Sequence, residues 1–328
     1  MNKLYQHNVR ISRLRTSKNL RNLLSDISLS ITDFVQPLFI KEGITKAQNI
    51  QDLPDILQYS LNDLNYLIPK IVNLQIPAIL LFGIPQHKDF QATSSTANNN
   101  IMVQAIKIIK KIAPQLIVIN DVCLCAYTDH GHCGLLNKKG NIDNKATLQK
   151  LQELAILYAK SGADIVAPSG MIDGMVYAIR TALDQAKFSE VAILSYAIKY
   201  NSAFYGPFRE ATDNTPMIGD RRAYQMNHRN SYVAFNEVAT DITEGADMII
   251  IKPALAYLDI IYKIKEKYPQ IPISAYNVSG EYAILQATKN MKSFDTQNLI
   301  LESLIAMKRA GANFIISYFS MQIASILN

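Results

Sequence analysis

Eight short apolar runs, rich in β-branched residues, recur along the chain and constrain its fold more than any other feature. They are Phe34–Ile40, Ala78–Gly83, Leu116–Val122, Asp164–Ala167, Val191–Tyr196, Met248–Lys252, Ile273–Val278 and Phe314–Tyr318. Near-continuous apolar character marks strands covered on both faces, as in a parallel sheet. Helical periodicity follows each run. Ile101, Ala105, Ile108 and Ile112 share one face, opposed by Gln104, Lys107 and Lys111. Leu148, Leu151, Ala155 and Tyr158 make a second stripe; Leu258, Ile261 and Ile264 make a third. Gly162, Gly245 and Gly311 each read as the end of a helix just before a strand, because glycine tolerates positive φ there. Eight such units predict an α/β fold of the TIM (β/α)8 barrel type. A doubly wound sheet is the alternative, but no Gly-rich phosphate loop follows the first run.

Residues 1–30 precede the first run and match no barrel element. The expected organisation is an N-terminal extended arm over 1–30, serving oligomerisation, and a catalytic barrel over 31–328. Leu14, Leu20, Leu23 and Leu24 sit among basic residues in the arm and need a partner surface, such as another subunit. A disordered tail is the other reading. No apolar run approaches the roughly 18 residues of a membrane span, so no membrane partner is expected. The basic N-terminus lacks the unbroken apolar stretch of a signal peptide. With the cysteine usage, this favours a reducing cytoplasm, an organelle-import signal being the alternative. The net charge is +6, but the lysines are scattered over helix faces and no nucleic-acid-binding motif accompanies them. No nucleic-acid partner is expected.

All three cysteines lie in one eleven-residue stretch as Cys123-x-Cys125-x7-Cys133. Three thiolates this close can hold one soft cation and leave a fourth position open, which marks a catalytic zinc site. Three ordinary buried thiols are the plain alternative. In a barrel the active site lies at the C-terminal ends of the strands, where the unusual residues fall. Asp121, Cys123 and Cys125 close the third run. Lys199 follows the fifth, Lys252 ends the sixth, Ser279 follows the seventh and Tyr318 ends the eighth. A lysine ending the apolar stretch Met248–Ile251 is hard to solvate, and a desolvated amine near another cation becomes a nucleophile for carbonyls. A snorkelling or salt-bridged lysine is the alternative. Residues 200–220 are long for a barrel connection and rich in turn formers, as a lid would be. Arg209 within it, and Arg221 with Gln225 after it, can clamp a carboxylate, although each arginine alone reads equally as a surface residue.

These segments resemble the porphobilinogen synthases, also called delta-aminolevulinic acid dehydratases, essentially end to end. The specific pieces are Asp121–Cys125 with His130–Gly134, Ala167–Ser169 with Met171–Gly174, Phe204–Ala211, Gly219–Arg221 with Tyr224–Asn227, Ile251–Ala254, Val278–Tyr282 and Ser317–Phe319. The resemblance implies a hydro-lyase that condenses two 5-aminolevulinate molecules to porphobilinogen, losing two waters, in tetrapyrrole (heme) synthesis. It implies a homo-oligomer, an octamer, whose arm wraps a neighbour. Lys252 matches the lysine forming a Schiff base with the first-bound substrate, and Lys199 the lysine of the second site. Asp121 matches a carboxylate near the first substrate's amino group. Cys123, Cys125 and Cys133 match ligands of a catalytic zinc. Ser279 and Tyr318 match binders of the first carboxylate; Arg209, Arg221 and Gln225 match binders of the second. Phe208 falls in the matching substrate-binding segment, and Glu237 matches the glutamate of a distal magnesium site.

The chain also departs from the family pattern. Ala126 stands where glutamate is expected, Asn277 replaces a more usual glutamine, and residues 90–100 lack acidic side chains. His130 and His132 read as supporting or turn residues and not as zinc ligands. A single-lysine aldolase would need neither the thiols nor a second lysine. A catalytically dead scaffold would not need the full residue set.

Overall fold

The eight runs form eight parallel strands of one closed barrel in a computed structural model that describes residues 10–212, 214 and 219–327. Ten strands occur in chain order: β1 (Phe34–Lys41), β2 (Gln48–Asn49), β3 (Leu57–Tyr59), β4 (Ala78–Ile84), β5 (Ile117–Val122), β6 (Ile165–Pro168), β7 (Ala192–Lys199), β8 (Met248–Lys252), β9 (Ile273–Asn277) and β10 (Phe314–Ser317). Sheet order runs β10-β9-β8-β7-β6-β5-β4-β1, and a β10–β1 pairing closes it. The sequence reading did not contain β2 and β3, a short antiparallel pair whose β3 pairs in parallel with the upper end of β1. Strands of two and three residues carry too little periodicity to stand out.

Helices follow the barrel strands and cover them from outside. The junction glycines behave as expected: Gly162, Gly245 and Gly311 have φ of 104°, 104° and 119°. Helix Ile101–Ile112 buries Ile101 and Ala105 of the expected stripe together with Met102, Val103, Ile106 and Ile109, while Ile108 and Ile112 are half-buried. Its covered face is therefore turned relative to the expected stripe. With so many isoleucines in one helix, several stripes satisfy the period, and the neighbouring helices decide which is buried. Helices Asn144–Ser161 and Leu258–Lys267 bury Leu151, Ala155, Tyr158, Ile261 and Ile264, as the stripes predict.

The arm is less extended than expected. Residues Ile11–Arg15 form a 3-10 turn and Lys18–Leu23 a short helix, started by the Ser17 hydroxyl accepting Leu20 N–H at 3.2 Å. A serine cap before a run of good helix formers explains the turn to helix. Leu14, Leu23 and Leu24 are exposed and Leu20 is half-buried. The part of the arm over residues 1–9 lies outside the described residues.

Candidate active site

Lys199 belongs to β7 rather than to the loop after it. Parallel pairing with β8 shifts register between Ser195 and Ile198, so three steps on β7 span two on β8. Such a bulge re-aims side chains. It explains how Tyr196 and Lys199, at odd spacing, both reach the barrel interior: Lys199 Nζ lies 5.4 Å from the Tyr196 ring centre. Lys199 Nζ donates to the Ser169 carbonyl at 2.6 Å. Lys252 Nζ is ringed by Tyr276, Phe208, Tyr205 and Tyr196 at 4.3, 4.8, 5.2 and 5.3 Å from their centres. Aromatic faces and Asp121 favour its charge, but burial, with Lys199 beside it, prevails and brings its pKa down to about 7. A large neutral fraction near neutrality leaves a free lone pair for attack on a carbonyl.

Beyond β5 the chain turns sharply. Tyr127 and Thr128 donate their N–H groups to the Leu124 carbonyl at 2.8 and 3.0 Å, and the Thr128 hydroxyl donates to the His132 carbonyl at 3.1 Å. Gly131 supplies the positive φ, 73°, that the return requires. Cys133 thereby meets Cys123 and Cys125, all three sulfurs lying within 4.8 Å of one another and buried. The Asn214 amide donates to Cys125 Sγ at 3.3 Å. Hydrogen bonds from Cys123 and Cys125, with Arg221 and Lys199 nearby, hold the Cys133 thiol well below its usual range. These thiols can hold a soft metal ion. Neither His130 nor His132 joins them: the Tyr224 hydroxyl lies 3.1 Å from His132 Nδ1 and accepts Cys133 N–H at 3.4 Å. Burial pushes the Asp121 carboxyl up to about 6, opposed by Lys199, the Ser169 hydroxyl and Lys252.

Arg221 is buried and donates to the Gly131 and Asn214 carbonyls at 2.8 and 2.7 Å. Its Nε, the Nε of Arg209 and both polar atoms of the Gln225 amide are buried without a partner among the described residues. Buried donors are rarely left so, and the two guanidinium N–H groups and the Gln225 NH2 are the kind of donors an anion takes. The Ser279 hydroxyl accepts the Phe208 N–H at 3.0 Å. The Phe208 and Tyr318 rings both pack on Phe39, at 5.7 and 6.0 Å. Ser279, Tyr318 and Phe208 thus share the mouth with Lys252. Glu237 lies on helix Val233–Glu244 outside the barrel, where with Asp173 and Asp220 it lines an open groove of about 470 Å3 that reaches His132 and Tyr224 beside the thiols. Burial, then Asp173 and Glu244, raise its pKa.

Sequence reasoning missed the aromatic cage of Tyr196, Tyr205 and Tyr276, the Asn214 donor and the Ser169 carbonyl. Tyr196 and Tyr276 carry a readable signal, since each lies within an apolar run that ends at the barrel mouth, whereas Tyr205 lies in the long connection after β7 and carries none. The Asn214 and Ser169 contacts depend on loop conformation and carry none.

The fold and this mouth define the class: a (β/α)8-barrel enzyme with its chemistry gathered at the C-terminal strand ends. The family model for delta-aminolevulinic acid dehydratase matches residues 8–326. The delta-aminolevulinic acid dehydratase of Halalkalibacterium halodurans is 46% identical over 316 residues, covering 96% of each chain. That of Synechocystis is 45% identical over 319 residues, covering 96% of this chain and 97% of its own. The crystal structure of delta-aminolevulinic acid dehydratase (porphobilinogen synthase) from Toxoplasma gondii ME49, in complex with the reaction product porphobilinogen, superposes with a TM-score of 0.94 at 35% identity. It covers 97% of this chain and 91% of its own. The chain belongs to the delta-aminolevulinic acid dehydratase family. No helix among the described residues is long and apolar enough to cross a membrane.

Proposed function

We propose that the chain condenses two molecules of 5-aminolevulinate to porphobilinogen with loss of two waters, through imines at Lys252 and Lys199. The observation that carries this reading is the pair of buried lysines at adjacent strand ends, one of them with its pKa near 7. Each neutral amine adds to a substrate ketone and expels water. The resulting imine is a better electrophile than the ketone and permits loss of a proton from the neighbouring carbon. Ser279 and Tyr318 hold the carboxylate of the substrate on Lys252. Arg209, Arg221 and Gln225 hold the other, which keeps the reacting carbons in register. Asp121 faces the first substrate's amino group and can take or hold a proton there. Phe208 covers the mouth. The cavity beside Asp121, Cys123, Cys125 and Phe208 is about 20 Å3, room for about one water.

Cys123, Cys125 and Cys133 would hold zinc. Three sulfurs at zinc-bonding distance stand roughly 3.8 Å apart, close to the spread of this trio. When bound, the metal would supply Lewis acidity toward a substrate oxygen. Glu237 would hold magnesium in its groove. Three free thiols suit a reducing cytoplasm, and the exposed arm leucines suit a homo-oligomer, an octamer by family likeness. Zinc-loaded protein incubated with 5-aminolevulinate alone should yield a pyrrole, read by its colour with an aromatic aldehyde. Folded, zinc-loaded protein that makes no pyrrole would sink the reading.

A further inference from the structure

On the β7 side Lys252 is held in the ladder, paired with Lys199 and with its carbonyl accepting Tyr200 N–H at 3.0 Å, but on the β9 side the ladder stops short of the residues that matter. The last β8–β9 register pair is Ile251 with Ala275, one residue before Lys252, and the last β9–β10 pair is Asn277 with Ser317, just before Tyr318. The backbone beyond these rows needs another tie. Glu281 supplies it. Its side chain is buried in helix Ser279–Ala287. Its Oε1 accepts Leu255 N–H at 2.8 Å, three residues past Lys252. Its Oε2 accepts Val278 N–H at 3.0 Å, next to Ser279, and the Asn277 side-chain amide at 3.2 Å. The Asn277 carbonyl oxygen in turn accepts the Ser317 hydroxyl at 2.9 Å, and that hydroxyl oxygen accepts Phe319 N–H at 3.1 Å, so the network brackets Tyr318. No ion pair to Glu281 occurs among the described residues. A buried carboxylate without a counter-ion is costly, and here its lone pairs tie the chain beyond β8 to the end of β9, with β10 reached through Asn277.

We infer that Glu281, acting through Asn277 and Ser317, is the positioning residue that sets the distance between the Lys252 amine and the carboxylate-binding pair Ser279 and Tyr318. This rests on the imine reading of Lys252 given above. The substrate's ketone carbon and carboxylate are joined by a short chain, so the protein must present amine and carboxylate site at one spacing. Asn277 is long enough to bridge Glu281 and Ser317, which gives that unusual residue a role. A glutamine at 281 keeps the shape, but its NH2 group meets donors where an oxygen stood.

The test compares two probes on the whole, zinc-loaded protein. One is 4-oxopentanoate, which has ketone and carboxylate but no amine; the other is 2-butanone, a ketone alone. Each is trapped on Lys252 with borohydride and read by mass spectrometry. In Glu281→Gln the keto acid concentration giving half-maximal trapping should rise about tenfold, while butanone trapping stays as in the parent. Ser317→Ala should shift the same ratio in the same direction by less, and it decides the matter if Glu281→Gln does not fold. Equal losses for both probes, or no change for either, would overturn the inference. Parent protein that traps neither probe on Lys252 would overturn the imine reading itself, and this inference with it.

Discussion

Lys199 and Lys252 are register partners, Cα opposite Cα, on the adjacent parallel strands β7 and β8. Paired residues of parallel strands project to the same face, so both amines enter the barrel mouth in one row. Burial, and then the neighbouring Lys199, make the charge on Lys252 costly and bring its pKa down to about 7.

That relationship sets a pH profile. A lysine with its pKa lowered to about 7 gains neutral amine about tenfold per pH unit below that value and levels off above it. Borohydride trapping of a ketone on Lys252 should therefore climb between roughly pH 5 and 7 and flatten by about pH 8. Lys199→Met removes the neighbouring cation, so the midpoint should move to higher pH. It should not return to an ordinary lysine value, because burial is the larger cause. A midpoint unmoved by Lys199→Met would mean the two amines do not sense each other.

Metal removal should separate activity from folding. Among the described residues the thiols form a cluster of their own, with Tyr224 as the apolar side chain packed against it, apart from the two large apolar cores. Chelation should therefore abolish turnover and leave far-ultraviolet circular dichroism and the melting transition nearly unchanged. Cobalt added to stripped protein should give sulfur-to-cobalt absorption at one ion per chain. Cys133→Ser should weaken that band, and an unaltered spectrum would exclude Cys133 as a ligand.

The barrel is legible in the sequence because parallel strands are buried on both faces and so read as unbroken apolar runs, each followed by a helix, three of which end at a glycine. Lys252 is legible for the same reason: a charge ends a run of Ile249, Ile250 and Ile251. Lys199 is harder, since the bulge at Ser195–Ile198 breaks the two-residue period that would place it on the inner face. The arginines, Gln225 and Asn214 come together through a long loop whose path no local pattern predicts. Family resemblance, not periodicity, is what singles those arginines and Gln225 out. Glu281 is the opposite case, a buried acid that an apolar-pattern reading passes over as a helix surface residue.

The two arginines should fail differently. Arg209 has a buried, unpartnered Nε and should act on substrate alone. Arg209→Lys should raise KM about tenfold or more by losing bidentate contact, with a smaller fall in kcat. Arg221 also ties the Gly131 and Asn214 carbonyls together beside the thiols. Arg221→Lys should raise KM and also weaken metal retention against a chelator. Equal metal retention in both variants would confine Arg221 to the substrate.

Gly280 sits where helix Ser279–Ala287 meets the segment over the mouth. A Cβ there would lie 2.6 Å from the Phe204 carbonyl oxygen and 2.8 Å from its Cα. Both are backbone atoms, so one element must shift. Gly280→Ala should leave the barrel folded but displace Phe204 together with Ser279, since the Ser279 hydroxyl also contacts the Phe204 carbonyl at 3.4 Å. Turnover should fall at least about tenfold with a melting temperature lowered by only a few degrees. Full activity would show that this contact can relax without cost.

The arm is expected to carry assembly. Ile11, Leu14, Leu23 and Leu24 are between 52% and 79% exposed within one chain. Together they present more apolar side chain than a short basic helix leaves in water without a partner surface. Packing against a second copy would bury them. Deleting residues 1–30 should turn a large homo-oligomer, expected as an octamer, into smaller species by light scattering. Activity should fall with it although every mouth residue remains. Leu23→Glu, placing a charge on the most exposed of these leucines, should do the same with the chain otherwise intact. A fully active monomer after the deletion would rule the arm out as an assembly element.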